Sequence, residues 1–339
     1  MTKTPDTAAA ISGEIVPAAP SGGVDRQVSD RTRERIADAV PPATERAYAR
    51  QLARYTEWCD AHGRTAFPGT EQTLAEFVSH LCDLDLGKAS IEQAIAAIRT
   101  AHRLQGFPHR PDTAAARMVL RSHTRTQARA GRRTKQAPPI VLDTLRAMIA
   151  ATDTSTLIGL RDRALLVLGF ALMGRRSELA ALDISDVTKT DDGLEVLIRM
   201  SKTDQDAVGE VVAIPRGTHP DTDPVRVLEA WLAALAERGA IEGRLLRSVN
   251  RWGQLADSIS EDGINKAVRA AAERAGLPNP QTYSAHSLRA GGATAAYKAG
   301  APISQITRHG RWADGSPTVN KYIRAADRWT DNAMRGVGL

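Results

Sequence analysis

The stretch ALLVLGFALMGRRSELAAL, residues 164–182, decides how the chain folds. Its first ten residues are apolar or glycine, with Arg161, Asp162 and Arg163 before them and Arg175 soon after. That run is well short of the ~20 residues a bilayer-spanning helix needs, so it predicts a helix buried in a protein core. The polar group Arg175, Arg176, Ser177 and Glu178 then separates this helix from a second apolar stretch containing Leu179 and Leu182. An arginine this close to a core is costly without an anion. Two arrangements suit Arg175: a structural ion pair with Glu178, or a phosphate that Arg175 holds while Glu178 orients it.

Downstream, the pattern changes at residues 193–215. LEVLIRM alternates Leu194, Val196, Ile198 and Met200 with Glu195, Leu197 and Arg199, and VVAIP forms a second extended run. SKTDQDAVGE between them supplies turn residues, so a small antiparallel sheet is expected with Lys202 near its edge. Helices resume at Asp223-Pro224, where Asp can cap and Pro can occupy the first turn, and after Ser260 through Ile264, Val268, Ala271 and Ala275.

Upstream, Tyr48, Leu52, Tyr55 and Cys59 share one helical face. Thr70 can cap a helix bearing Leu74, Phe77, Val78 and Leu81, Ser90 can start one bearing Ile91, Ile95 and Ile98, and Pro111 suits the first turn of one bearing Met118 and Leu120. The expected organisation is a disordered leader at 1–32, a helical domain at 33–127, a basic linker at 128–139, and a second domain at 140–339. The fold class is therefore mainly α in two domains, the second α+β with a small antiparallel sheet.

Lys and Arg number 45 against 39 Asp and Glu, a net charge of +6. Residues 121–135 contain Arg121, Arg125, Arg129, Arg132, Arg133 and Lys135 and no acid, so this segment alone matches the whole surplus. A solvated tether and a segment following a polyanion backbone both fit such a run. With only two cysteines, Cys59 and Cys82, the chain cannot build a disulfide scaffold or a cysteine-rich zinc module. A reducing cytoplasm is the expected setting, with no signal peptide and no membrane partner.

Two further segments carry chemistry. YSAHSLRAGGATAAYKAG, residues 283–300, places His286 and Arg289 one helical turn apart, before Gly291 and Gly292 where backbones could approach closely. RHGRWADGSPTVNKYIR, residues 308–324, adds His309, Arg311, Trp312 and Tyr322. HxxR fits a surface His and Arg as well as a phosphate site, a lone Trp or Tyr is usually core, and His309 is expected to face solvent or DNA rather than a metal.

Taken together, these segments resemble the tyrosine recombinases, or phage integrases. Arg175 matches the family's first conserved arginine in R-x-S-E-L, with Arg176 in the variable place and Glu178 as the supporting acid. Lys202 matches the lysine of the sheet turn, His286 and Arg289 the H-x-x-R box, Trp312 the later His-or-Trp position, and Tyr322 the nucleophile. In one departure, Trp312 and Tyr322 are ten positions apart, one more than in many relatives, and the extra residue is expected in the 313–317 turn.

The resemblance implies a site-specific recombinase acting on double-stranded DNA, localised with DNA, with a helical core-binding domain and a catalytic domain. It implies a homotetramer on two DNA sites, with room for accessory proteins. Tyr322 would form a 3'-phosphotyrosyl intermediate, Arg175 and Arg289 would bind the phosphate, His286 would accept the tyrosine proton or contact the phosphate, Lys202 would protonate the leaving oxygen, and Trp312 would donate an indole hydrogen bond. No cofactor and no metal is expected. DNA contacts are expected at Arg121, Arg125, Arg129, Arg132, Arg133 and Lys135. Relaxation of DNA by a type IB topoisomerase-like activity, and noncatalytic DNA binding as an accessory protein, are the alternatives.

Overall fold

The computed structural model describes residues 29–32, 35, 42–132, 137–199, 209–313, 315–316, 318–322, 334 and 337. Most of the expected leader, with Met200, Lys202, Arg133 and Lys135, lies outside them. The chain divides into two compact units, Met1–Thr134 and Lys135–Leu339.

In the first unit four helices, α1 (Pro42–Ala61), α2 (Glu71–Asp83), α3 (Lys88–Leu104) and α4 (Ala114–Arg129), enclose one core. Leu52, Tyr55 and Cys59 of α1 meet Leu74, Phe77, Val78 and Leu81 of α2 and Ile91, Ile95 and Ile98 of α3, as their spacing predicts, while Tyr48 packs at the margin. Thr70 caps α2, its side chain accepting from the Thr73 N–H at 3.1 Å. Three details differ from expectation. Gly87, not Ser90, is the N-cap of α3. Pro111 lies outside α4, which starts after Thr113 with the Asp112 carboxylate accepting from Ala114 N–H at 2.6 Å. Ala116 and Leu120, four residues apart, face inward, and Met118, two positions from each and so on the far side of the helix, is 68% exposed. Helix α4 also continues through Arg129, two residues into the span assigned to the linker, because no breaker occurs before Gly131.

The second unit opens with α5 (Leu142–Ala150), α6 (Leu157–Ala171) and the short α7 (Arg176–Ala181). Helix α6 carries the apolar run from Ala164 as far as Ala171 and is buried on nearly all sides. Its buried charges are matched: Asp162 accepts from Arg161 at 2.7 Å and from Arg274 at 2.6 Å. Three antiparallel strands follow in the order β1 (Val187–Lys189), β2 (Gly193–Ile198), β3 (Glu210–Pro215). The alternation of β2 holds, with Leu194, Val196 and Ile198 inward. Strand β1 has no counterpart among the expected elements; it is only three residues long and has no fully buried residue. Asp223 caps α8 (Pro224–Ala236) and Ser260 caps α9 (Glu261–Arg274), both as expected. Then come α10 (Ala285–Lys298), α11 (Ile303–His309) and a helical turn at 318–322. Among the described residues no helix is long and apolar enough to cross a membrane.

Helix α10 lies against α6 and the chain entering α5 because it has no side chains at the two crossings. A Cβ on Gly291 would stand 1.8 Å from the Ile140 carbonyl oxygen, and one on Gly292 would stand 2.4 Å from that of Phe170. The Ile140 N–H also donates to Ser287 O at 2.9 Å, tying residue 140 to the turn that carries His286 and Arg289. The Gly291→Ala variant should therefore lose about 1–3 kcal/mol or more of stability, read as a lowered thermal unfolding midpoint of the second unit by calorimetry.

Candidate active site

The site is assembled where α6 ends. The last carbonyls of a helix have no partners within it and form the negative end of its dipole, so they attract donors and cations. Met173, at φ +47°, turns the chain sharply out of α6. Three successive carbonyls at this end are then taken by side chains from distant segments. Ala171 O is bound by His309 Nε2 at 2.7 Å, Leu172 O accepts from Arg311 Nη2 at 3.2 Å, and Met173 O accepts from Arg289 Nη1. His309 is thus a half-buried helix-end ligand rather than a solvent-facing residue, and nothing in its local sequence points to that carbonyl.

Arg175 is the residue at the N-cap of α7, with Glu178 in the first turn. Glu178 Oε2 accepts the Arg175 backbone N–H at 2.8 Å, and Oε1 accepts from Arg175 Nη1 at 2.5 Å. The structural ion pair expected of these two residues therefore exists. It does not exhaust Arg175, whose guanidinium carries five N–H donors; a second goes to Arg311 O at 2.8 Å. Burial alone would raise the Glu178 carboxyl, but the charge of Arg311, the Arg175 N–H and the hydrogen bonds from both arginines outweigh it and hold its pKa below the ordinary value.

Arg289 projects from α10 into the same space, is 3% exposed, and also donates to Gly310 O at 2.5 Å. Its guanidinium carbon lies 3.8 Å from the centroid of the Trp312 ring, a cation–π stack. Burial, and next the charge of Arg175, push its pKa down to about 9, which still leaves it protonated at neutral pH. Two guanidinium groups this close, with the charge of Arg175 helping to lower the Arg289 pKa, form a site that favours an anion.

One helical turn earlier, His286 Nε2 is 2.7 Å from the Tyr322 hydroxyl. Desolvation and the charge of Arg289 both lower the His286 pKa, so its ring is neutral near pH 7 and Nε2 can accept the phenolic proton. Burial raises the Tyr322 pKa and Arg289 only partly offsets it, so the resting tyrosine is protonated. Trp312 flanks this pair, its ring centroid 6.1 Å from that of Tyr322. Between Trp312 and Tyr322, Ser316 N–H donates to Ala313 O at 3.0 Å and Gly315 has φ +69°.

The fold thus gathers Arg175, Glu178, His286, Arg289, Trp312 and Tyr322, and adds Arg311, to which the sequence alone assigns no role. Its side chain is 1% exposed and pairs with Glu178 Oε2 at 2.8 Å. Lys202 lies outside the described residues, in the segment joining β2 to β3. Arg121, Arg125 and Arg129 belong to α4, four residues apart and exposed on one face. Arg121 and Arg125 line a groove of about 640 Å³ with Lys88 and Arg99 of α3 and Arg117 of α4. Those last three escape sequence reading because they lie outside the dense basic run. Arg132 is ion-paired with Asp85.

Residues 140–328 match the model of the phage integrase family. An integrase/recombinase xerD homolog of Selenomonas ruminantium is 30% identical over 312 residues, 91% of this chain and 89% of that protein. Recombinase cre of Escherichia phage P1 is 25% identical over 331 residues, 94% of this chain and 93% of that protein. Among solved structures, XerH site-specific recombinase bound to a palindromic difH substrate, a post-cleavage complex, aligns with a TM-score of 0.57 at 16% identity, covering 91% of this chain and 83% of that one. A lambda integrase dimer bound to a COC' core site aligns with a TM-score of 0.54 at 16% identity, covering 84% and 89%. The chain belongs to the phage integrase family, the tyrosine recombinases, enzymes that cut and rejoin DNA at specific sites.

Proposed function

We propose that Tyr322 is the nucleophile of this recombinase and that Arg175 and Arg289 bind the scissile phosphate. The observation that carries this reading is the 2.7 Å contact of Tyr322 with a neutral His286 beside two guanidinium groups. Tyr322 Oη attacks phosphorus in line and the bond to the 5'-oxygen breaks. The protein is left joined to a 3'-phosphate, and the DNA end carries a free 5'-hydroxyl. The phenolic proton passes to His286 Nε2, and the resemblance assigns protonation of the departing oxygen to Lys202. Arg175 and Arg289 stabilise the negative charge that grows on the nonbridging oxygens, using donors not spent on Glu178 and the carbonyls. Trp312 packs beside Tyr322 and stacks on Arg289. Because a phosphodiester-like linkage persists in the intermediate, attack by a 5'-hydroxyl reverses the step without ATP.

Residues 33–127 serve as the core-binding domain, 128–139 as the linker, and 140–339 as the catalytic domain with its tail. The basic face formed by Arg121, Arg125 and Arg129 follows the DNA backbone, with Arg132, Arg133 and Lys135 continuing the charge. The working assembly is a homotetramer on two sites; the lambda integrase neighbour, bound as a dimer to a core site, supports assembly on DNA. Integration, excision, dimer resolution and transposition all use this chemistry.

The test is covalent trapping. Wild-type protein incubated with a nicked random duplex library should give a protease-sensitive adduct whose DNA can be sequenced, and the adduct should persist in excess EDTA. The Tyr322→Phe variant should give none on the recovered duplex; an adduct with that variant overturns the nucleophile assignment. Replacing either Arg175 or Arg289 by Ala should slow cleavage by roughly 10²–10³-fold.

Cleavage by the wild type should depend on pH through His286. Its lowered pKa favours the neutral ring, so the single-turnover rate should hold down to the ordinary histidine value of about 6.5 and fall only below it. An acid limb above that value contradicts the assigned proton acceptor.

Changing Arg121, Arg125 and Arg129 together to Gln should weaken DNA binding at low salt. It should also reduce the slope of log affinity against log salt by roughly 0.9 for each phosphate that is no longer neutralised, measured by fluorescence anisotropy.

A further inference from the structure

Arg311 occupies a backbone conformation, φ +56°, that glycine adopts freely and side-chain-bearing residues avoid. An arginine there carries a local backbone cost that glycine would not. The Arg311 side chain is 1% exposed, against a Glu178 carboxylate at 2%. It also donates to His309 O at 2.9 Å and Leu172 O at 3.2 Å.

These bonds run parallel to those of Arg289. Arg289 links Met173 O to Gly310 O, and Arg311 links Leu172 O, one residue earlier, to His309 O, one residue earlier. Two guanidinium groups therefore staple the end of α6 to the 309–312 turn in adjacent registers. Arg311 acts on Arg175 as well, by two routes. Its carbonyl accepts from Arg175 Nη2 at 2.8 Å, and its guanidinium engages the Oε2 of the same carboxylate whose Oε1 holds Arg175 Nη1.

We propose that Arg311 is a positioning residue of the active site, fixing the Glu178 rotamer and the 309–312 turn so that Arg175 and Arg289 present their remaining donors to one phosphate. This rests on the reading of those two arginines as phosphate ligands. The Arg311 side chain itself is 1% exposed, and its guanidinium is engaged by Glu178, His309 O and Leu172 O. Its effect is geometric, since a misplacement of about 1 Å at such a site can cost on the order of 10²-fold in rate.

The charged groups around Glu178 make the role measurable. Arg175 faces the carboxylate from the start of α7, Arg311 from the turn after α11, and Arg289 contributes its charge from α10. Arg176, the remaining charge of the α7 first turn, is directed away, to Glu261 at 2.7 Å and Asp262 at 3.8 Å on α9. Burial works against the charged carboxylate, and Arg311 is the first of the influences opposing it. Removing Arg311 raises the Glu178 pKa, so the pH at which the carboxylate is lost moves upward.

Full-length Arg311→Met and Arg311→Lys proteins would be compared with the wild type on the nicked duplex recovered by trapping. DNA affinity, single-turnover cleavage between pH 5 and 8 at saturating protein, and the Glu178 carboxyl titration by ¹³C NMR without DNA would each be measured. The expected result is unchanged affinity, cleavage slowed on the order of 10²-fold for Arg311→Met with the Glu178 titration displaced to higher pH, and partial recovery for Arg311→Lys, which keeps the charge but not the planar fork. A folded Arg311→Met protein with wild-type rate and Glu178 titration overturns the proposal. If that variant does not fold, Arg311→Gly, which relaxes the backbone while removing the guanidinium, takes its place. Should the wild type form no adduct, the phosphate-binding reading fails, and the Glu178 titration decides alone. An upward shift on loss of Arg311 supports the positioning role, and an unchanged titration overturns it.

Discussion

The Glu178 carboxylate, shared between Arg175 and Arg311 in the interior of the second unit, is the interaction on which the site depends. Each oxygen has its own guanidinium, and Oε2 also takes the backbone N–H that opens α7. Removing one member of a buried pair typically costs about 3–5 kcal/mol, because the survivor is left charged and unpaired. Here the consequence would spread further. Without the carboxylate, α7 would lose the acceptor at its first turn and two arginines would face each other across an uncompensated interior.

The end of α6 explains why so many cations converge. An apolar helix buried nearly all round finishes with carbonyls in buried or part-buried positions, and the chain satisfies them with His309, Arg311 and Arg289. Those bonds use only part of each guanidinium, whose fork is rigid. The donors left over have their directions set by the bonds already made, which is the preorganisation a phosphate site requires. The glycines of α10 belong to the same construction, because Arg289 reaches Met173 O only when α10 lies directly on α6. In the first unit the basic face of α4 is exposed and periodic. It suits the sequence-independent attraction to a DNA backbone that precedes any reading of bases.

Much of the fold was legible because local chemistry decided it. The caps Thr70, Asp223 and Ser260 act within three residues of themselves, and the alternation of β2 follows from burial of one face. Expectation and structure part where a short-range signal is overridden. Pro111 is a good first-turn residue, yet Asp112 and Thr113 begin α4 later; Met118, two positions from the buried Leu120, falls on the outer face. Strand β1 pairs with β2 without an apolar pattern of its own. In the site, residues with distinctive chemistry in a recognisable order were found from sequence. The acceptors that hold them were not, since Ala171 O, Met173 O and Gly310 O are main-chain atoms that every residue possesses.

By itself the sequence determined that the chain has a helical first unit and a mixed second one, and that an arginine, an acid, an HxxR pair, a tryptophan and a tyrosine occur in recombinase order. Residue type and spacing suffice for that, because helix period, caps and side-chain reactivity are local properties. Only the tertiary structure decided that Glu178 serves two arginines, that His309 binds a helix end, and that Arg311 belongs to the site. Those bonds join positions more than 130 residues apart. No local pattern encodes them; they form when α6, α10 and the 309–312 turn are packed together and each buried charge must find its partner.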